Sequence, residues 1–304
     1  MKCSSPVRLG IVGWPVAHSL SPAMHNAAFK SVGLQWHYEL WPTPPAELSR
    51  RMGDLRSSNI AGANVTVPHK QSVIPYLDQL TPAAAAIGAV NTIVAKDSRL
   101  SGHNTDAEGF LAALREAGVE PVGRRVLLLG AGGAARAVAF ALLTARVSRL
   151  VIANRSMARA RSLVQDTSAW QHESAAHAVE LSRESLQKCV VHADLVINAT
   201  TLGMAPDASG CPWPLDLPMP ARLVVCDLVY SPRTTRLLEL ARAAGCKTID
   251  GLGMLVHQGA QAFQLWTGLP APVALMRQVC LAAVSKAAAP VPAASEPPPG
   301  PQGG

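Results

Sequence analysis

Apolar residues fall along this chain in two alternating patterns. Short, nearly unbroken apolar runs occur at Arg8–Val12, Ala63–Val67 and Asn91–Ala95, with Trp36–Leu40 a mixed run between them. Similar runs return at Arg125–Leu129, Leu150–Ala153, Leu195–Asn198 and Leu223–Leu228. Such runs, bounded by turn residues, predict strands buried on both faces, as in a parallel sheet. Between them apolar residues recur at helical spacing, which predicts helices over Ala23–Ser31, Ala46–Arg56, Gly133–Leu143, Thr234–Ala244 and Met254–Trp266. Ser21-Pro22 reads as an N-cap followed by proline at the first helical position, and Gly33 as a stop. The alternation predicts βαβ units and an α/β fold with a mostly parallel sheet.

The 304 residues suit two domains, at roughly 100–200 residues each. The pattern changes after Asp106, so residues 1–106 predict one domain and 107–254 a second, opened by a connecting helix over Ala107–Ala117. Gln165–Lys188 is polar and weakly patterned, and reads as a variable loop and helix. Residues 288–304 hold little besides Pro, Ala and Gly, which predicts a disordered tail.

Composition narrows the class. With 49% hydrophobic and 15% charged residues, the chain has ample material for two cores, and disorder of the whole is excluded. The net charge is +7, yet Lys and Arg are scattered rather than clustered. Neither nucleic acid nor membrane is therefore an expected partner. The positive field suits an anionic small molecule. Cys3, Cys189, Cys211, Cys226, Cys246 and Cys280 form no CxxC pair and no metal-ligand spacing with His. They read as free thiols in a reducing compartment, with no metal site. No secretory apolar region follows Lys2 and no apolar stretch has transmembrane length. These features predict a cytoplasmic protein.

Gly130-Ala131-Gly132-Gly133-Ala134-Ala135 follows an apolar strand and opens a helix. This fits the G-x-G-x-x-A turn that binds dinucleotides: small residues let the backbone approach the pyrophosphate, and the helix N-terminus holds it. An NAD site usually places an acid at the end of the next strand, to bind the ribose 2′-hydroxyl. Here that strand ends Ala153-Asn154-Arg155-Ser156, with Arg159 one turn later and no acid. Two guanidiniums without a carboxylate suit a 2′-phosphate, which points to NADP.

Four further segments put polar residues where strands meet loops, the ligand-binding edge of open α/β sheets. They are Gly13–Pro22 with His25-Asn26, then Asn64–Lys70, Gly88–Thr92 and Gly102–Asp106. The paired Ser19 and Ser21 before a helix could offer hydroxyl and N–H groups to an anion. Together with NATxxGM at Asn198–Met204, DLVYxPxxT at Asp227–Thr234 and DGxGMLVxQGAxxF at Asp250–Phe263, these segments closely resemble the shikimate dehydrogenase family. The resemblance spans about residues 8–285.

The resemblance implies a substrate domain first, completed by C-terminal helices over 255–287, and a Rossmann NADP domain, with the active site in the cleft between them. It implies reversible NADPH-linked reduction of 3-dehydroshikimate to shikimate, on the route to chorismate and aromatic amino acids, by a monomer or homodimer. By matching position, Ser19 and Ser21 would bind the substrate carboxylate, helped by Tyr230. Thr66, Lys70, Asn91, Asp106 and Gln258 would hold the ring hydroxyls and carbonyl. Gly130, Gly132, Gly133 and Ala134 would line the pyrophosphate; Asn154, Arg155, Ser156 and Arg159 the adenosine end; Leu228, Gly251 and Met254 the nicotinamide. Lys70 and Asp106 would be catalytic: a cation beside the ketone stabilises developing negative charge, and a proton must be delivered. Which of the two delivers it is left open. Ser156 stands where the family usually has Thr, which keeps the hydroxyl. The nearest alternative is a quinate or quinate/shikimate dehydrogenase, often NAD-linked, against which Asn154, Arg155 and Arg159 argue. A non-catalytic regulator of the same fold would not need both Lys70 and Asp106. A folate-linked Rossmann dehydrogenase would leave the Ser19/Ser21 loop unexplained.

Overall fold

A computed structural model describes residues 6–170, 175–205 and 207–287. Cys3 and the predicted disordered tail lie outside the described residues. In chain order the first half holds β1 (Arg8–Gly13), α1 (Ser21–Ser31), β2 (His37–Pro42), α2 (Leu48–Asp54), β3 (Ile60–Val65), β4 (Gln79–Leu80), α3 (Pro82–Ile87), β5 (Thr92–Lys96) and β6 (Arg99–His103). The second half holds α4 (Asp106–Glu116), β7 (Arg125–Leu129), α5 (Gly133–Thr144), β8 (Arg149–Asn154), α6 (Met157–Thr167), β9 (Ala175–Glu180), α7 (Arg183–Val190), β10 (Leu195–Asn198), β11 (Val224–Asp227), α8 (Arg236–Ala243), β12 (Lys247–Ile249), α9 (Leu252–Thr267) and α10 (Val273–Ala287).

Two six-stranded sheets result. The first runs β2-β1-β3-β5-β6-β4. Its strands β2, β1 and β3 are parallel, as the buried runs require, but β5 lies antiparallel to both β3 and β6. The β5–β6 hairpin turns at Asp97-Ser98, both at positive φ (51° and 58°), the left-handed pair that matches strand twist in a two-residue hairpin loop. The second sheet is parallel throughout and runs β12-β11-β10-β7-β8-β9. Strand order reverses between β7 and β10, which is the doubly wound arrangement with its switch point beside β7. Helices α9 and α10 pack with α1 on the first sheet, through Met24, Phe29, Tyr38, Val256, Phe263, Trp266 and Met276.

Local structure departs from the sequence reading in several places. Ser21 is not the N-cap of α1: Leu20 holds that position without a side-chain cap, and Ser21 begins the helix. The hydroxyl of Ser19 accepts from Ser21 N–H instead, at 3.3 Å, so the capping group lies two residues earlier. The helix predicted over Ala46–Arg56 divides into a single 3₁₀ turn at Pro45–Glu47 and the shorter α2. The polar stretch Gln165–Lys188 includes edge strand β9 and helix α7. Edge strand β9 has one neighbour, so no long apolar run marked it. Cys189, Cys211, Cys226, Cys246 and Cys280 are all free. Among the described residues no helix is long and apolar enough to cross a membrane, and no His/Cys/Asp/Glu group could hold a metal.

Candidate active site

Lys70 sits in the turn after β3, with its main chain held from two sides. Its carbonyl accepts from Val90 N–H at 2.7 Å. The ring Nε2 of neighbouring His69, buried, lies 2.7 Å from the Thr43 carbonyl. The Lys70 ammonium donates to Asp106 Oδ2 at 2.6 Å, with side chains only 14% and 6% exposed. Asp106 opens α4, where the helix N-terminus favours a carboxylate. Its second oxygen accepts from Asn91 Nδ2 at 2.9 Å. Asn91 in turn reaches Thr105 Oγ1 at 2.8 Å and Gln258 Oε1 at 3.3 Å, and accepts from Thr105 N–H at 2.7 Å.

A deeper chain backs this group. The Tyr38 hydroxyl donates to Asn64 Oδ1 at 2.7 Å, Asn64 Nδ2 to Thr92 Oγ1 at 3.1 Å, and Thr92 to Asn91 Oδ1 at 3.2 Å. Tyr38, Asn64, Asn91, Thr92 and Thr105 are all buried. A buried polar network whose members are paired is rigid, and it fixes the amide orientations at the cavity wall. Burial pushes the Tyr38 phenol well above its ordinary range, partly offset by a hydrogen bond with Ser21. Tyr230 is also raised by burial, offset by Ser19. His25 is different: it is fully buried, stacks on Tyr38 with ring centroids 4.6 Å apart, and neither ring nitrogen has a partner. Burial pulls its pKa down to about 3.

Two cavities meet at Lys70 and Ala134. The smaller, about 150 Å³, is lined by Ser21, Thr66, Lys70, Asn91, Asp106, Tyr230 and Gln258, with walls from Leu228, Gly251 and Met254. Ser19 does not line it, but stands next to Tyr230 and offsets the rise of its pKa. The larger, about 550 Å³, is lined by Gly130, Gly132, Gly133 and Ala134 of the glycine turn and by Asn154, Arg155 and Arg159 at the end of β8. Lys70, Arg136, Arg155 and Arg159 supply cations there, and no carboxylate is among its lining residues. Ser156 falls outside the lining; its hydroxyl caps α6 by accepting from Arg159 N–H at 3.4 Å. Gly133 lies under the Lys70 stem: a Cβ there would come within 2.9 Å of Lys70 Cβ. The glycine turn and the lysine are thus in direct contact.

The loop after β11 carries Leu228 and Tyr230 and is anchored by buried Asp227. This carboxylate accepts from Thr235 Oγ1 at 2.6 Å, Asn198 Nδ2 at 2.9 Å and Val229 N–H at 3.0 Å. Burial raises its pKa against the pull of those donors. Sequence reasoning did not single out Asn64, Tyr38, Thr105 or Arg136 as site residues. Asn64 carried a signal, being a polar amide inside an otherwise apolar strand. Tyr38 carried none, because its partner lies on another strand.

Comparison with known proteins agrees with this geometry. Residues 11–93 match the family model for the shikimate dehydrogenase substrate binding domain, 113–204 that for shikimate / quinate 5-dehydrogenase, and 251–281 that for the shikimate 5′-dehydrogenase C-terminal domain. The shikimate dehydrogenase (NADP(+)) of Symbiobacterium thermophilum is 48% identical over 276 residues, 91% of this chain and 94% of the relative. The Thermus thermophilus shikimate 5-dehydrogenase, solved with NADP(H) and shikimate, superimposes with a TM-score of 0.81 at 42% identity, covering 91% of this chain and 99% of that one. Quinate dehydrogenase from Corynebacterium glutamicum, solved with NAD, gives a TM-score of 0.82 at 34% identity, covering 92% and 100%. Both activities therefore share this fold, and the choice between them belongs to side chains. Identity and coverage of this extent place the chain in the shikimate dehydrogenase family.

Proposed function

We propose that the protein is an NADP-dependent shikimate dehydrogenase, reducing 3-dehydroshikimate reversibly to shikimate. The observation that carries this reading is the Lys70–Asp106 ion pair, 2.6 Å long, standing where a small polar cavity opens into a larger one with a basic, carboxylate-free rim. The residues fit the cofactor. The glycine turn and the N-terminus of α5 offer N–H groups to a pyrophosphate. Arg155 and Arg159, in a cavity with no carboxylate among its lining residues, would hold a 2′-phosphate. Bound in this cavity, NADPH supplies the hydride.

The protein's own part is to bind, orient and move a proton. Ser21 and Tyr230, with Ser19 behind, receive the substrate carboxylate. Thr66, Asn91 and Gln258 hold ring oxygens. The Lys70 ammonium sits beside the C3 carbonyl and stabilises the charge that builds on its oxygen. Asp106 keeps that ammonium in place, while Asn91 occupies the other carboxylate oxygen and leaves Oδ2 to the lysine. One proton then passes from the Lys70–Asp106 pair to the new hydroxyl. On this reading residues 1–106 with 255–287 form the substrate side and 107–254 the cofactor side. It acts in the cytoplasm on a small molecule, as a monomer or homodimer.

The test is absorbance at the nicotinamide band, with shikimate and quinate each offered NADP⁺ and NAD⁺. Turnover fastest with shikimate and NADP⁺ is the expected result. Preference for quinate with NAD⁺ would overturn the substrate and cofactor assignments together.

A further inference from the structure

Arg136 lies one turn into α5, its N–H bonded to the Gly132 carbonyl at 3.0 Å, and is 9% exposed. Its guanidinium does not simply face the cofactor cavity. Nε donates to the Ile87 carbonyl at 2.6 Å, and Nη2 pairs with Asp166 Oδ2 on α6 at 2.8 Å. Ile87 is the last residue of α3, on the first sheet's side of the cleft. Its carbonyl belongs to the unsatisfied, partly negative end of that helix, where a cation is stabilised. Gly88, which ends α3 at φ 65°, gives the guanidinium room: a Cβ there would lie 2.8 Å from Nη2.

The segment after Gly88 leads directly to the reacting groups. Val90 N–H bonds the Lys70 carbonyl, and Asn91 bonds Asp106. Gly133, three residues before Arg136, touches the Lys70 stem. One side chain thus joins the cofactor turn to the strip of backbone that supports the lysine and orients its carboxylate.

We infer that Arg136 is a positioning residue, which sets the distance between the dinucleotide turn and the Lys70–Asp106 pair by holding the end of α3. The inference rests on the dehydrogenase reading above. It differs from a phosphate-binding role, because both donors with partners point at protein. It differs from a purely structural role, because the fixed element carries catalytic groups. A small misplacement of reacting groups costs up to about 100-fold in rate.

The experiment compares Arg136→Met, Arg136→Lys and Asp166→Asn with the parent enzyme, whose turnover of shikimate with NADP⁺ is established first. Without that turnover the dehydrogenase reading fails, and this inference with it. Given it, Arg136→Met lowers kcat about tenfold or more, with NADPH Kd by fluorescence within about twofold. The primary isotope effect with deuterated NADPH rises, because hydride transfer has become limiting. Arg136→Lys restores part of kcat, since one ammonium still reaches the Ile87 carbonyl. Asp166→Asn lowers Tm and leaves kcat and the isotope effect unchanged. A rise in NADPH Kd as large as the fall in kcat would assign Arg136 to phosphate binding and overturn the inference. So would a loss of Tm in Arg136→Met with kcat and isotope effect intact, or a kcat loss in Asp166→Asn equal to that in Arg136→Met.

Discussion

Lys70 and Asp106 form an almost completely buried ion pair, and the energetics of such pairs shape what mutation does. Removing one partner strands the other, which costs roughly 3–5 kcal/mol when the site is fully buried. Lys70→Met is therefore expected to lower both activity and stability. Loss of charge stabilisation and proton transfer should reduce kcat at least about 100-fold, and Asp106 is left with Asn91 as its donor. Asp106→Asn should also reduce kcat, but the two losses should not add, because the pair acts as a unit. The double variant should recover part of the Tm lost in Lys70→Met, since it holds no stranded charge. Near-normal kcat in Lys70→Met would falsify the assigned mechanism. Cofactor choice is decided by residues of the same kind. One charge-assisted contact is worth roughly 1.5–3 kcal/mol, or about ten- to a hundredfold in affinity. Arg155→Ala should raise the KM for NADP⁺ by that order and leave NAD⁺ use nearly unchanged. Equal losses with both would mean that Arg155 does not meet the 2′-phosphate. These residues were legible in the sequence because each stood in a motif at a strand end. Arg136 also stands in such a motif, closing the glycine turn, but its role was not legible, since its partners Ile87 and Asp166 come from separate helices.

At the scale of elements, strands with apolar runs were legible, edge strand β2 among them, whereas β4, β6, β9 and β12, which lack such runs, were not. β7, β8, β10 and β11 are apolar almost throughout because helices cover both faces. β6, with one buried face and a hairpin partner, has no such run, and the antiparallel half of the first sheet went unread with it. Helix α1 carries a further consequence. His25 is sealed between α1, Tyr38 and Trp266 without a hydrogen bond. Its folded pKa, about 3, lies below the ordinary 6.5. Below pH 6.5 the unfolded chain therefore takes up a proton that the folded chain refuses. Stability should fall as pH drops from 6.5 toward 3, with a slope from this residue approaching about 1.4 kcal/mol per pH unit. Glu39 and Asp194, each held near 2 by hydrogen bonds from Arg8 and Arg125, add acid losses only through the lower carboxylate range. Between about pH 4.5 and 6.5 the histidines dominate; half-buried His103, its pKa also lowered by burial, adds a loss of the same sign. His25→Phe keeps the stack on Tyr38 and should lower the slope of the denaturant-derived stability curve across that interval, leaving the share of His103. An unchanged slope would show that His25 is protonated in the folded state.

The whole molecule has a net charge of +7, and the cleft concentrates it. Lys70, Arg136, Arg155 and Arg159 line the larger cavity, and no carboxylate is among its lining residues. Two of these cations are already neutralised: Lys70 by Asp106 and Arg136 by Asp166. The remaining field comes from Arg155 and Arg159, which are exposed at the rim. Exposed charges are screened over a Debye length of about 10 Å at 0.1 M salt, whereas buried pairs are screened far less. Salt should therefore act on the adenosine end of the cofactor and spare the chemistry. Raising ionic strength from low salt to about 0.5 M is expected to raise the KM for NADP⁺ severalfold, while kcat at saturation stays constant. NAD⁺ carries the same pyrophosphate but no 2′-phosphate, so its KM should rise much less. Arg155→Ala should flatten the NADP⁺ dependence toward that of NAD⁺. Identical salt slopes for the two cofactors would locate the attraction at the pyrophosphate, in the N–H groups of α5. In that case the carboxylate-free rim would not be what selects NADP.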